Sequence, residues 1–541
     1  MTHSKFDVLI IGGGITGAGI AMDASSRGLE TALVEMQDFA AGTSSRSTKL
    51  VHGGLRYLKK LEIKLVSQVG KERAIVYENG PHVTVPEWML LPIQKGGTFG
   101  RLSTSLGLRM YDMLARVNKE ERRRMLSVSE TLKKEPLLKS DGLKGSGFYV
   151  EYRTDDARLT VEVIKAAVQY GTKAVNYSKV EQLLYENGKV VGAKVRDTLS
   201  DLIYSIYATK VINATGPWID TIREQDRSKS GKELRLSKGV HLVIDKSRFP
   251  LSHAVYFDTP DGRMVFAIPR GEKAYVGTTD TFYNGNITSP RMTEDDIEYI
   301  TGAVNDMFPE VKLTPHDVES SWAGLRPLIL EEGKDPSEIS RKDEIWQSHS
   351  GLITIAGGKL TGYRKMAETV VDLVVKVRKK EVGNRMKIPH CKTKQLPISG
   401  GNVGGSKGYP AFVQNKLKQA KKHGFTEKEG EWLIHLYGSN IDTVFSLKEV
   451  YEKEYKFQLP LYLYYSLLYS IFFEMTLKPE DYFVRRTGAL FFDINWVKKW
   501  KKGVINCMAH YLNWTSAEKE LHLQELEDAI VAAESTILAD S

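Results

Sequence analysis

At 541 residues the chain is too long for a single core and is expected to hold two or three domains. Its 41% apolar content is that of a globular protein, and Lys plus Arg exceed Asp plus Glu by 76 to 67. That mild basicity suits an anionic small molecule or an anionic membrane surface; spread along the chain with no aromatic-rich basic module, it argues against nucleic acid.

The first unit reads strand, turn, helix, strand. Phe6–Ile11 is short and apolar, Gly12–Gly17 is a glycine-rich turn, Ala18–Arg27 is helical and closed by Gly28, and Thr31–Glu35 is a second strand. Strands joined through a helix predict a parallel sheet. Glycines interrupt the apolar stretch Val8 to Ala21 and no suitable basic segment precedes it, so no cleavable signal is expected.

Gly12-x-Gly14-x-x-Gly17 carries the first chemistry. Gly12 permits the tight turn, Gly14 lets backbone amides approach a pyrophosphate, and Gly17 lets the helix pack on the strand. With Ile15 and Thr16 it opens a helix whose N-terminus favours anions. Glu35 can accept hydrogen bonds from ribose hydroxyls and would repel the 2′-phosphate of NADP. The following stretch, AGTSSRSTKLVHGGLRY, is dense in hydroxyls, glycines and cations; Thr43, Ser44, Ser45, Ser47 and Lys49 are candidate donors to a second phosphate or a flavin ring.

Later segments read as returns to the same sheet. These are a helix over Asp156–Gly171, strands at Ala174–Asn176 and Val180–Leu184, a hairpin at Asn187-Gly188, and a buried strand at Lys210–Asn213. Small residues follow it in NATGPW, where Ala214 and Gly216 would let backbone approach a flat cofactor. Leu352–Ile355 is a further strand, then Gly357-Gly358 and a helix through Val377. The stretches between these returns include alternating strands such as Val240–Ile244 and Met264–Ile268.

We therefore expect a nucleotide-binding domain over 1–80, 150–234 and 341–387, and a β-rich substrate domain over 81–149 and 235–340. A linker over 388–410, rich in Gly and Pro, is expected to form no stable element. A helical domain over 411–541 follows, with capping boxes at Thr426/Glu429 and Thr515/Glu518 and an amphipathic helix through Leu523, Leu526, Ile530, Ala533 and Ile537. Cys391 and Cys507 form no CxxC, so neither a disulfide framework nor a metal site is expected, and both read as reduced cytosolic thiols. Leu459–Met475 is apolar but Tyr-rich and reads as a buried helix rather than a span. Two segments mix cations with apolar side chains as a membrane-surface helix does: Trp496 to Trp500 with its lysines, and Arg101, Arg109 and Arg116 among Leu102, Leu106, Leu108, Met110 and Leu114.

Taken in order, GGGITGAGIAMDAS, STKLVHGGLRYL, DDARL, NATGPW, KGVHLV, GTTD, GLRPL and GGKLTGYRKMAE resemble the FAD-dependent glycerol-3-phosphate dehydrogenases, and LYGSN at 436–440 is similar to that family's C-terminal domain. The resemblance covers nearly the whole chain. It implies an α/β fold of the D-amino-acid-oxidase group: a Rossmann-like FAD-binding domain with β-rich substrate-domain insertions, plus the all-helical C-terminal domain. It also implies FAD as cofactor, with contacts drawn from the residues above together with Val180, Gly358, Lys359, Leu360 and Thr361. The implied reaction oxidises sn-glycerol 3-phosphate to dihydroxyacetone phosphate and passes electrons to a membrane quinone. A cytoplasmic enzyme on the inner face of the membrane follows, and a homodimer is compatible with it.

The remaining residues fit that chemistry. A phosphate dianion calls for a clamp, for which Arg56, Arg326 and Arg341 are candidates, with Tyr57 as a hydroxyl donor. His241 is the candidate base for the C2 hydroxyl. Lys359, at a helix start, is a candidate to hold substrate phosphate or negative charge on reduced flavin. The nearest rival is a glycerophosphate oxidase, which uses oxygen as acceptor. More distant are an amine oxidase of the same fold and a flavin-binding sensor without turnover.

Overall fold

The computed structural model describes residues 5–52, 63–97, 100–115, 121–331, 342–383, 387–451 and 456–536. The first sheet has five parallel strands, in the order Ile353–Ala356, Ile203–Asn213, β1 (Lys5–Ile11), β2 (Thr31–Val34) and Lys173–Val175. Three antiparallel strands extend it. Glu344–Gln347 pairs with Ile353–Ala356, and the hairpin Ser178–Glu186/Lys189–Asp197 attaches through Ile203–Asn213. The hairpin turns at Asn187 and Gly188, both at positive φ, as its two-residue turn demands. Both faces of the parallel strands are covered, so Val8–Ile11 of β1 and Ala32–Val34 of β2 are apolar and buried without alternation.

Helix α1 (Ile15–Ser26) packs between the helices Asp156–Gln169 and Tyr363–Val382 on one face of this sheet. Gly19 serves that packing: a Cβ there would lie 2.9 Å from the Tyr363 ring. The second sheet has ten strands and is antiparallel except where Ala254–Asp258 runs parallel to Thr84–Gln94. Its longest pairing joins Lys232–Asp245 to Val318–Glu331. Leu50–Val51, from the stretch read with the nucleotide domain, pairs with Tyr152–Arg153 and so belongs to this second sheet.

The helical unit differs from expectation at its start. Helix Gly405–Lys422 begins inside the stretch read as a linker. The cause is a remote cap: Glu78 accepts from the Ser406 amide at 3.3 Å and from its hydroxyl at 2.6 Å, and its charge lies at the positive end of the helix. The capping boxes at Thr426/Glu429 and Thr515/Glu518 form as expected. Leu459–Met475 gives the helix Leu461–Glu474, in which Leu463, Tyr464, Tyr465, Leu467 and Leu468 are wholly buried. Among the described residues no helix is long and apolar enough to cross a membrane.

Charges bind the helical unit to the first sheet. A single turn of π-helix, Asp481–Arg486, brings Arg485 and Arg486 onto Asp38, just past β2, at 2.6 and 2.7 Å. Glu474 accepts from Arg158 and from Lys165. Burial raises the pKa of Glu474, but Arg158 and Lys165 more than offset this and bring it down to about 2. Breaking one buried ionic partner of this kind costs about 3–5 kcal/mol.

Candidate functional site

One elongated cavity of about 1600 Å³ runs between the two sheets. One end lies at the head of β1 and β2. Gly12 sits at φ +113, and a Cβ there would stand 2.5 Å from the Ala214 carbonyl oxygen. A Cβ on Gly17 would lie 1.9 Å from the Gly12 oxygen, so this glycine serves helix-to-turn contact and stands outside the cavity lining. Gly14 caps α1, whose first turn carries no acidic residue, and Gly14, Ile15 and Thr16 line the cavity. Such a helix start receives a phosphate.

Glu35 lines the same end of the cavity. Its carboxylate accepts from the Gly13 amide at 2.6 Å and the Gln37 amide at 2.9 Å. Burial raises its pKa, opposed by those two amides. Val180, Ala214 and Gly216 line the same end. Asn213 fixes the last two, donating to the Ile219 carbonyl at 3.0 Å and accepting from the Thr215 hydroxyl at 2.7 Å. A helix N-terminus without acid, a fixed carboxylate and a glycine-cleared backbone fit the diphosphate and ribose of FAD.

Residues 43–52 form the middle wall and are pinned from several sides. Ser44 Oγ accepts from the Ile15 amide at 2.9 Å, and the Thr43 hydroxyl donates to the Leu325 carbonyl at 2.7 Å. The Trp322 indole donates to the Ser47 carbonyl at 3.0 Å, and the Tyr275 hydroxyl to the Thr48 carbonyl at 3.2 Å. Asp156 accepts from the Ser47 amide at 2.9 Å and from the Lys49 ammonium at 2.5 Å. Lys49 and Ser45 therefore stand behind the cavity lining and hold the wall, whereas Thr43, Ser44 and Ser47 face the cavity.

The far end is built by side chains. Arg326 donates to the Thr278 hydroxyl at 3.0 Å, the Thr279 carbonyl at 3.3 Å and Asp280 at 3.2 Å. A Cβ on Gly239 would meet the Arg326 guanidinium at 2.5 Å, so KGVHLV supplies the space that GLRPL needs. His241 is 1% exposed and stacks on Trp322 with ring centroids 4.9 Å apart. Burial holds its pKa well below the ordinary imidazole value, with Arg326 and Lys49 adding to the effect, so the ring is neutral. Gly357 and Gly358, both at positive φ, bring Lys359, Leu360 and Thr361 to the cavity. Lys359 precedes a 3-10 turn that runs into Tyr363–Val382. Arg56, Tyr57 and Arg341 lie outside the described residues.

Among the lining residues that sequence reasoning missed, three come from a single motif. Arg46 faces the cavity, and its burial there lowers its pKa. His52 lines it too, held by mutual bonds with Thr361 at 3.1 and 3.2 Å. Thr48 bonds His241. All three lie in the motif AGTSSRSTKLVHGG, whose density of polar side chains was the available signal.

The comparisons with known proteins agree with this geometry. The family model described as "FAD dependent oxidoreductase" matches residues 7–364, and that of the C-terminal domain of alpha-glycerophosphate oxidase matches 391–519. An aerobic glycerol-3-phosphate dehydrogenase of Bacillus subtilis is 62% identical over 99% of this chain and 97% of its own. One from Staphylococcus aureus is 58% identical over 99% and 96%. The chain belongs to the FAD-dependent oxidoreductases. The X-ray structure of the glycerol-3-phosphate dehydrogenase of Bacillus halodurans complexed with FAD is 51% identical, with a TM-score of 0.85, covering 100% of this chain and 97% of that one. The L-alpha-glycerophosphate oxidase of Mycoplasma pneumoniae, at 20% identity and a TM-score of 0.56 over 69% of this chain and 95% of its own, shares the fold. This oxidoreductase is thus FAD-dependent, with the helical unit as a second family domain.

Proposed function

We propose that this enzyme oxidises sn-glycerol 3-phosphate to dihydroxyacetone phosphate and passes the electrons to a membrane quinone. One observation carries the reading: a dinucleotide cradle and a cationic end with an adjoining neutral imidazole share a single cavity. The names of the most similar relatives support the substrate. Bound FAD supplies the acceptor for the hydride that leaves C2.

The chain supplies the rest. Arg326 and Lys359, with Arg56, Tyr57 and Arg341 in the same role, hold the phosphate dianion and so fix C2. His241 takes the hydroxyl proton. The dianion beside Arg326 offsets that cation's effect on the imidazole and makes it a stronger base in the complex than in the free enzyme. Lys359, together with the helix start behind it, stabilises negative charge that builds up at the far end of the cavity.

The membrane contact we assign to helix Arg101–Ala115. Leu106 and Met113, seven positions apart and so on one face, are 66% and 71% exposed, and Arg109 beside them is exposed. The Trp496 to Trp500 segment is a poorer candidate. Both indoles pack against the helical core, and Lys498 and Lys501 pair with Glu534 and Glu527. A homodimer and a cytoplasmic position on the inner membrane face complete the reading.

The acceptor is tested by reoxidising the reduced enzyme in a stopped-flow instrument with a short-chain quinone or with oxygen. Faster reoxidation by quinone is expected; faster reoxidation by oxygen assigns a glycerophosphate oxidase instead. Sedimentation with anionic vesicles tests the helix. Leu106→Glu with Met113→Glu is expected to leave the protein in the supernatant, and unchanged pelleting would move the contact elsewhere.

A further inference from the structure

The two ring nitrogens of His241, which lines the cavity, stand in different surroundings. Nδ1 is buried, and Nε2 stands 3.0 Å from Thr48 Oγ1. The ring is fixed by stacking on Trp322 and by Gly277 on the paired strand, where a Cβ would lie 2.3 Å from the imidazole Cδ2. Thr48 lines the cavity and is held on its other side by Tyr275, which donates to its carbonyl. Its flanking residues are fixed as well, Ser47 by Trp322 and Asp156, and Lys49 by Asp156. The hydroxyl is thus placed before substrate arrives, between the cavity and the only ring nitrogen that has a partner.

We infer that Thr48 relays the substrate proton to His241. This rests on the proposed oxidation of a C2 alcohol. The O–H bond of the substrate breaks as its proton passes to Thr48 Oγ1, while the Thr48 hydroxyl proton passes to His241 Nε2. The C2–H bond breaks in the same oxidation, its electron pair leaving as hydride to the flavin, and the C2–O bond becomes a carbonyl. The relay requires the tautomer with its proton on Nδ1 and Nε2 bare. Thr48 then also donates a hydrogen bond to the carbonyl oxygen of the product, which gives a second readout.

The test compares Thr48→Val, Thr48→Ala, Thr48→Ser and His241→Asn, each checked for bound FAD by its visible spectrum. Flavin reduction by glycerol 3-phosphate is followed anaerobically, and binding of dihydroxyacetone phosphate is followed by calorimetry. Val and Ala are expected to slow reduction by about 100-fold or more, the range of a lost acid–base step, and Ser to restore it to within about tenfold. Thr48→Val combined with His241→Asn is expected to be no slower than the slower single variant, because the two act as one unit. Product affinity falls in Val and Ala and returns in Ser.

Wild-type-like reduction in a FAD-replete Thr48→Val or Thr48→Ala enzyme overturns the relay. So do single losses that multiply in the double variant, and a Ser variant as slow as Val. Intact reduction in those variants with its collapse in His52→Asn would transfer the base to His52. A wild-type enzyme that glycerol 3-phosphate does not reduce overturns the substrate reading itself, and the relay with it.

Discussion

The dinucleotide end of the cavity is walled by main chain, while the far end is walled by side chains that reach in from separate strands. Gly12, Gly14, Ile15 and Thr16 act through backbone that one contiguous segment shapes. Arg326 and His241 come from two strands of the second sheet and owe their positions to glycines on paired strands, Gly239 and Gly277. The lesson is one of division of labour. Backbone amides at a helix start bind any diphosphate, so that end can be common to many flavoproteins, whereas the side-chain end sets what is oxidised.

The comparison breaks most completely at Gly17. Gly17→Val drives a side chain into the Gly12 carbonyl, and the variant is expected to emerge without flavin. Retention of stoichiometric FAD would show that the turn tolerates far more movement than its geometry implies. Next in size is the ionic seam that holds the helical unit against the first sheet. Glu474→Gln is expected to lower the unfolding free energy by about 3 kcal/mol, measured by denaturant titration with the holoenzyme.

The same seam sets an acid limit. The pKa of Glu474 falls from the ordinary 4.5 to about 2 on folding, so the deprotonated form is favoured in the native state. Its contribution is complete above pH 4.5 and is lost as the pH falls toward 2. Acid unfolding of the wild type is therefore expected to steepen in that window, and the Gln variant to lose that part of the pH dependence. The smallest effect is confined to the far end. Arg326→Ala is expected to lower kcat/KM for glycerol 3-phosphate by about 100-fold, as removal of a charged hydrogen-bonding partner does, while FAD content is unchanged. An equal loss for glycerol would mean that Arg326 does not hold the phosphate.

What could be read from the chain follows the same division. The glycine turn of the backbone end lies in one stretch of sequence with an apolar strand on each side, and Gly12, Gly14, Gly17 and Glu35 identify it without a fold in hand. The far end was legible only through resemblance, because His241 and Thr48 lie 193 residues apart and only the tertiary fold brings the loop of one onto the strand of the other. Lys49 was read as a ligand because a lysine in a polar loop looks available. Its pairing with Asp156, on a distant helix, cannot be seen from local sequence. The start of helix Gly405–Lys422 was hidden for a similar reason: glycines conceal the periodicity, and the cap that stabilises it is Glu78.

The central claim is that a cradle for FAD and a clamp for a phosphorylated alcohol share one cavity. Anaerobic addition of sn-glycerol 3-phosphate to the holoenzyme tests it most directly, with glycerol at the same concentration beside it. The account predicts that glycerol 3-phosphate bleaches the visible flavin band and yields dihydroxyacetone phosphate, and that glycerol leaves the band in place. A flavin that stays oxidised with both, or one that glycerol bleaches as readily, would contradict it.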